Sequence, residues 1–424
     1  MLSQIFSAKY ILPISTPPIE HGALLVRDGR IAMVGHQREL QKIVPDAEIV
    51  EFEDGILLPP LVNAHAHLEL SDFPVWAEEL GETGPPSPDD FVGWIERVIR
   101  VKRATSPEQF SAAVAHGISE SLRAGTGAIG DVISQFDARS PHQQSPLLGR
   151  LYYEAVGRKA EPTRKLHKKI GQLLREGECG GLETGLAPHA PYSISAKYLE
   201  ELLGYARKES LPCTIHLAES QPESDFLQDA SGPLAERLYP LVGWGDDIPE
   251  GEGLSPVAYL ARLGGVTSAN TVVHGVQVDE ADVEQLAAAG TSVVVCPRSN
   301  HRLGVGQAPI ELYKQHRVRL SLGTDSRASN DSLSVWDEIA FARNSYPGLH
   351  PATLLEMATV GGADALGLVG ELGALQQGWG VNFQVVEGGD LSSPGELFEF
   401  LTGPGRNDDV RHLYLNGSDC LPSA

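Results

Sequence analysis

From residue 59 to residue 366 short apolar runs alternate with helical stretches, and this alternation constrains the fold more than any other feature. The runs at 128–132, 151–154, 183–187, 213–216, 271–274, 292–295 and 320–323 have the length of buried strands. The stretch 59–69, Pro-Pro-Leu-Val-Asn-Ala-His-Ala-His-Leu-Glu, opens the series as a further strand. Helical patterns lie between them at 107–124, 196–208, 281–289 and 333–343, and a helix over 351–366 ends the series. Repeated strand–helix units imply a parallel sheet. Eight of them favour a closed barrel over an open sheet.

The two ends read differently. Residues 1–58 carry short strand candidates at 23–26, 30–34 and 47–50, with Asp28-Gly29 as a hairpin turn between the first two. After Gly370 the chain returns to short β-like runs at 382–386 and 410–415. The expected organisation is therefore 1–58 and 367–424 as two parts of one terminal β unit, with 59–366 as the barrel. Two segments rich in Gly and acid, 81–90 and 241–256, interrupt the alternation. Both follow the carboxyl ends of barrel strands, where active-site covers are built, although a surface insertion would read the same way.

Composition narrows the function. The chain has 424 residues, 42% hydrophobic and 21% charged, which suits a soluble globular enzyme. A formal charge of −23 argues against nucleic acid and against anionic membrane surfaces as partners. The scattered Cys179, Cys213, Cys296 and Cys420 give neither a disulfide framework nor a thiolate zinc site. Cys213 and Cys296 read as core. No basic segment followed by a long apolar run opens the chain, and a cytoplasmic location is the expectation.

Chemistry-bearing residues fall where barrel strands deliver them. On a strand, side chains at i and i+2 share a face, so His65 and His67 can aim two imidazoles at one point. His216 ends the run at 213–216, His274 ends the run at 271–274, and Asp325 follows the run at 320–323. His65, His67, His216 and Asp325 would form a three-histidine, one-carboxylate set with room for water, as a catalytic divalent metal requires. A bound divalent cation lowers the pKa of water to about 7, so hydroxide is available at neutral pH. Attack on an amidine-like ring carbon then needs a proton on the ring nitrogen and another on the departing amine. A nearby carboxyl group can supply both, and Glu219 lies three residues beyond His216.

The ordered series His65-Ala66-His67, His189-Ala190-Pro191-Tyr192-Ser193, His216-Leu217-Ala218-Glu219, His274-Gly275, Cys296-Pro297-Arg298-Ser299-Asn300 and Gly323-Thr324-Asp325-Ser326 resembles the amidohydrolase superfamily. Within it, the likeness is to the cytosine-deaminase-like and chlorohydrolase-like branch. The resemblance covers nearly the whole chain. It implies an α/β fold, a distorted (β/α)8 TIM barrel with a small β-sandwich formed from both termini. It also implies one divalent metal, Zn2+ or alternatively Fe2+, held by His65, His67, His216 and Asp325. In the same reading Glu219, His274 and Asp325 are catalytic, with His274 handling the water and Glu219 shuttling protons. His189 would contact substrate, unless it is a structural histidine. Arg298 would bind substrate, unless it fixes its loop with Ser299 and Asn300. Glu69 would orient a metal histidine or lie on the surface.

Residues 186–193 contain no lysine, which favours a mononuclear centre over the lysine-bridged dinuclear kind. Many relatives carry Lys-x-Ala-Asp before the last β run. Here the text is Gly378-Trp379-Gly380-Val381-Asn382-Phe383, which leaves the details of the terminal β unit open. The opening Asn63–Leu70–Ser71 stretch is similar to that of aminodeoxyfutalosine deaminases of menaquinone synthesis. The expected reaction is thus hydrolytic deamination of a nucleoside-like small molecule, first the adenine ring of 6-amino-6-deoxyfutalosine. Adenosine- or S-adenosylhomocysteine-type deamination and triazine-like chlorohydrolysis are the competing enzyme readings. A noncatalytic ligand-binding barrel is the reading from another class. A homodimer is compatible with all of them.

Overall fold

Strands Leu61–Ala66, Thr126–Ile133, Leu148–Ala155, Leu182–Pro188, Cys213–Leu217, Asn270–His274, Ser292–Val295 and Leu320–Leu322 form one eight-stranded parallel sheet in chain order. The computed structural model describes residues 3–421 apart from 83, 85–89, 390 and 392. Every strand expected in the barrel is present. Six of the eight strands are buried along their whole length, on both faces, which explains why they read as continuous apolar runs and not as alternating ones.

The sheet closes between its first and last strands. The backbone N–H groups of Thr324 and Asp325 donate to the His65 carbonyl at 3.0 and 3.1 Å, and Ala66 pairs with Asp325. Asn63 clamps the same seam with its amide. Its Nδ2 donates to Thr324 Oγ1 at 2.7 Å, and its Oδ1 accepts from the Thr324 N–H at 3.1 Å. Gly323 lets the two strands approach, because a Cβ there would stand 2.9 Å from both the His65 carbonyl oxygen and the His65 Cβ. The barrel is distorted elsewhere. Between Leu182–Pro188 and Cys213–Leu217 the register holds one pair, Leu186 with Cys213, and further along the His216 N–H donates to the His189 carbonyl at 2.9 Å.

Helices cover the outer face. Pro107–Arg123 starts at a capping box in which Ser106 and Gln109 satisfy each other's backbone N–H groups. Ala196–Glu209, Glu280–Ala289 and Val335–Ser345 follow close to their expected places. The last helix of the barrel segment runs from Pro351 to Ala365 through a π-helical turn at Met357–Gly361. A further helix, Phe91–Ala104, was not singled out in the sequence and proves central to the cavity. It begins where Asp90 caps the Gly93 N–H at 2.9 Å. The expected 81–90 loop falls largely outside the described residues.

Both chain ends build one mixed seven-stranded sheet. Its spatial order runs Ser418–Asp419, Val410–Leu415, Phe383–Glu387, Glu48–Leu58, Ser3–Ile11, Ile19–Arg27, Arg30–His36. Phe6, Phe383 and Tyr414 pack ring against ring at its centre, with centroids 4.5–5.2 Å apart. The departing Gly378–Phe383 stretch still serves as a tie. Gly378 N–H donates to the Ile31 carbonyl at 2.7 Å, and Ile31 N–H donates to the Trp379 carbonyl at 3.0 Å. No helix among the described residues is long and apolar enough to cross a membrane.

The seam predicts a stability effect. Asn63→Ala removes both amide bonds and leaves the Thr324 N–H to the His65 carbonyl alone, a loss of about 1–3 kcal/mol for the two buried bonds. The thermal unfolding midpoint is expected to fall measurably, whereas an unchanged midpoint would deny the clamp its role.

Candidate active site

His65, His67, His216 and Asp325 converge. One ligand-capable atom from each lies within 4.8 Å of all the others. His67 Nε2 is 3.3 Å from His216 Nε2, and Asp325 Oδ1 is 3.8 Å from His65 Nε2 and 3.7 Å from His67 Nε2. Local structure fixes each group. His65 and His67 sit at i and i+2 at the end of Leu61–Ala66, as their spacing required. His216 Nδ1–H donates to the His189 carbonyl at 2.9 Å, which leaves Nε2 as the lone pair facing the cluster. Asp325 Oδ2 accepts from the hydroxyls of Ser299 and Ser329, both at 2.7 Å, so Oδ1 is left for the histidines.

This donor set fits a divalent transition metal. The two ring nitrogens of buried His65 have no hydrogen-bond partner among the described residues. Such orphaned polar atoms are costly unless something binds them. Burial, followed by the neighbouring histidines, holds His67 and His216 well below the ordinary imidazole range, which keeps them neutral. Burial pushes the Asp325 carboxyl up, but the adjacent His65 imidazole and the surrounding histidines win and hold it well below the usual range. Three neutral imidazoles and one carboxylate are what such a cation requires.

Two further groups flank the cluster. His274 ends Asn270–His274, and its Nδ1–H donates to Asn300 Oδ1 at 2.9 Å. Its Nε2 is therefore unprotonated, has no hydrogen-bond partner among the described residues, and faces Glu219 Oε1 at 3.6 Å. Burial brings the His274 imidazole down to about 4. Glu219 is 4% exposed, its Oε1 is also unpartnered, and its backbone N–H is tied to Glu223 Oε2 at 2.9 Å. Burial, then the charges of Asp325 and Glu223, pushes the Glu219 carboxyl well above its usual range. The site thus shifts its two carboxyl groups in opposite directions, Asp325 toward the ionised form and Glu219 toward the protonated one.

A cavity of about 600 Å³ opens over these residues. His189 lines it; its Nδ1–H donates to Ser193 Oγ at 2.8 Å, because that hydroxyl donates to the Ala190 carbonyl at 3.0 Å. Arg298 does not line it. Its guanidinium is engaged by Asn330 Oδ1 at 3.1 Å and by Asp331, so it braces the loop after the last barrel strand instead of reaching substrate. Nor is Glu69 a surface acid or a histidine anchor. It is buried, accepts from Lys102 Nζ and Ser134 Oγ at 2.7 Å, and accepts from the Ser134 and Gln135 N–H groups at 2.9 and 2.8 Å.

Sequence reasoning passed over several lining residues. Trp94, Val98 and Lys102 come from Phe91–Ala104, whose apolar positions do recur at helical spacing. Val242 and Trp244 come from the expected 241–256 segment, which does cover the cavity. Glu154 stands near the end of Leu148–Ala155, a strand-end acid that the rule applied to His216 and Asp325 would have caught.

Residues 56–417 match the amidohydrolase family. Over 359 residues the chain is 33% identical to an aminodeoxyfutalosine deaminase of Deinococcus radiodurans, covering 82% of this chain and 81% of that protein. Over 395 residues it is 29% identical to a 5-methylthioadenosine/S-adenosylhomocysteine deaminase of Nitratidesulfovibrio vulgaris, covering 89% and 81%. The crystal structure of Helicobacter pylori aminofutalosine deaminase has the same fold, with a TM-score of 0.85 at 20% identity over 99% of this chain and 100% of that one. The chain belongs to the amidohydrolase family. It is a hydrolytic enzyme of that family, a deaminase.

The donor geometry predicts metal behaviour. Purified protein should carry about one divalent transition metal per chain by elemental analysis, and stripping it should lower the thermal midpoint. Removing both hydroxyls that hold Asp325, Ser299→Ala with Ser329→Ala, should weaken metal affinity by about 10–100-fold in a chelator competition. Unchanged affinity in that double variant would show that the serines do not orient Asp325.

Proposed function

We propose that the substrate of this amidohydrolase-family deaminase is an adenine nucleoside, first 6-amino-6-deoxyfutalosine, whose 6-amino group leaves as ammonia. The observation that carries the reaction is the pairing of Glu219 and His274 beside the three-histidine, one-aspartate cluster. The relative at 33% identity carries the choice of substrate and with it a place in menaquinone synthesis. We assign His65, His67, His216 and Asp325 to one divalent metal, zinc first. When bound, it acidifies a water molecule and so supplies hydroxide near pH 7.

The chain's own residues handle the protons. His274 Nε2, unprotonated and unpartnered, accepts the first proton of the attacking water. Glu219, kept protonated by burial, gives its proton to the purine N1 as the oxygen bonds to C6. The resulting carboxylate takes the proton of the new hydroxyl and passes it to the amino group. The C6–N bond then breaks, ammonia departs, and the ring is left as the 6-oxo form. His274 returns its proton to Glu219 across the 3.6 Å between them, which resets the pair. His189 presents its Nε2 to the cavity, since Nδ1 is taken by Ser193, and holds the ring in place.

Ammonia release should be measured across aminodeoxyfutalosine, adenosine, 5-methylthioadenosine, S-adenosylhomocysteine, guanine and cytosine. Highest kcat/KM on aminodeoxyfutalosine is expected, and preference for a free base would overturn the nucleoside assignment. Glu219→Gln keeps the size of the side chain and loses its exchangeable acid. Its kcat should fall by about 10²–10⁴, or ~3–5 kcal/mol in barrier, with metal content unchanged. A fall below about tenfold would remove Glu219 from the proton relay. His274→Asn should likewise keep its metal while losing turnover. Parallel loss of metal and activity would instead make His274 a ligand.

A further inference from the structure

One buried acid in the cavity takes no part in the reaction above. Glu154 stands near the end of the third barrel strand, lines the cavity and is 8% exposed. Among the described residues none donates a hydrogen bond to its carboxyl group. The neighbouring cation, Lys102, is committed elsewhere, with Nζ 2.7 Å from Glu69 Oε1 and 2.8 Å from Ser134 Oγ. A carboxylate is a pure acceptor with room for several hydrogen bonds. Left without donors under a ligand it would be costly, so a ligand that fills this cavity has to bring donors to that place.

The position of Glu154 says which part of a ligand that is. Its register partner is Ala187 on the fourth strand, two residues before His189. The His189 ring is in turn 4.9 Å from that of His216. Two inter-strand spacings, about 10 Å, therefore separate the strand of Glu154 from that of His216. A purine with C6 over the metal cluster spans that interval and sets its sugar beside Glu154. The apolar part of the lining, Trp94, Val98, Val242 and Trp244, offers hydroxyls no side-chain donors or acceptors beyond the indole N–H groups. Trp94 Nε1–H is already given to the Ala328 carbonyl at 2.9 Å.

We propose that Glu154 is a specificity residue that reads the sugar of the nucleoside, its two carboxylate oxygens accepting hydrogen bonds from the adjacent 2′- and 3′-hydroxyls. This rests on the nucleoside-deaminase reading and adds a feature that reading does not need. The apolar side is left for whatever the 5′ carbon carries. The diol must be free, so nucleosides phosphorylated at the 2′ or 3′ position are excluded by charge as well as by size.

The test compares wild type and Glu154→Gln on two substrates, the best nucleoside of the panel above and its 2′,3′-dideoxy analogue. For wild type, loss of the diol should lower kcat/KM by roughly 10–100-fold, the scale of hydrogen bonds to a charged group. Glu154→Gln should lose a similar factor on the parent nucleoside, mainly through KM, and less than about twofold on the dideoxy analogue. Equal losses on both substrates would overturn the proposal, and so would a wild type indifferent to the diol. Glu154→Asp, with the charge kept on a shorter stem, should recover part of the discrimination. Metal content and thermal midpoint of each variant show whether it is folded, and wild-type discrimination alone decides if neither variant is. Absence of ammonia release from every nucleoside would overturn the functional reading and this proposal together, whereas release without dependence on the diol would overturn this proposal alone.

Discussion

The hydrogen bonds from Thr324 and Asp325 to the His65 carbonyl are the contact on which the rest depends. They close the barrel, and they also bring the carboxylate from the last strand to the histidines from the first. The closure holds the backbone in an uncommon shape. Asp325 has φ 59°, and the ends of the fifth and sixth strands show the same feature, with φ 52° at Ala218 and 74° at His274. Left-handed conformations at non-glycine residues cost about 1–3 kcal/mol each and persist where surrounding bonds over-determine them. Here they do. The Ala218 carbonyl accepts from the N–H groups of Val276 and Gln277 at 2.8 and 2.7 Å, and the Asp325 side chain is held by two serines. Two of these three residues, His274 and Asp325, line the cavity.

Within that frame the same burial gives opposite results for two carboxyl groups. Asp325 has hydroxyl donors on one oxygen and histidines on the other, so its charge is compensated and it stays ionised. Glu219 has an unpartnered oxygen and acids for neighbours, so its charge is penalised and it keeps its proton. Separating the two in this way lets one hold a cation while the other acts as an acid at neutral pH. The histidines divide by the same logic. His216 and His274 each spend Nδ1–H on a fixed acceptor, the His189 carbonyl and Asn300, and each therefore turns a lone pair inward. What differs is the group each lone pair faces.

The barrel and the convergence of its chemistry were legible because both are written in local pattern. Strands buried on two faces are apolar runs, and a catalytic residue on such a barrel follows the run directly. Arg298 shows where that logic stops. It lies three residues past the seventh strand, as Asp325 lies three past the eighth, yet its reach lets it turn away to Asn330 and Asp331, and nothing in the local sequence records the direction. Glu69 failed for a related reason. Its partners Lys102, Ser134 and Gln135 lie 33 to 66 residues away, on elements that meet only in the folded barrel. The terminal sheet was half visible. Its strand Ser3–Ile11 pairs in parallel with the central strand Glu48–Leu58 across a long gap in sequence, a contact that no hairpin signal announces.

Glu69 and Glu154 together show how the cavity separates structure from recognition. Both are buried acids beside the same lysine, but only Glu154 lines the cavity. Lys102, Ser134 and Gln135 saturate Glu69 and hold its carboxyl below the usual range against the effect of burial. Burial instead pushes the Glu154 carboxyl up to about 7, because the charge of Lys102 reaches it without a hydrogen bond. Were Glu154 there only to balance Lys102, the lysine would gain most by bonding it directly. The lysine bonds Glu69 and Ser134 instead, which ties Phe91–Ala104 to the segment after the first barrel strand and to the end of the second. That arrangement leaves Glu154 fixed in place by its strand, flanked by positive charge, and with its oxygens available. A group positioned at the expense of its own solvation, next to a rigid wall and open toward the cavity, is preorganised for a donor that arrives with the ligand.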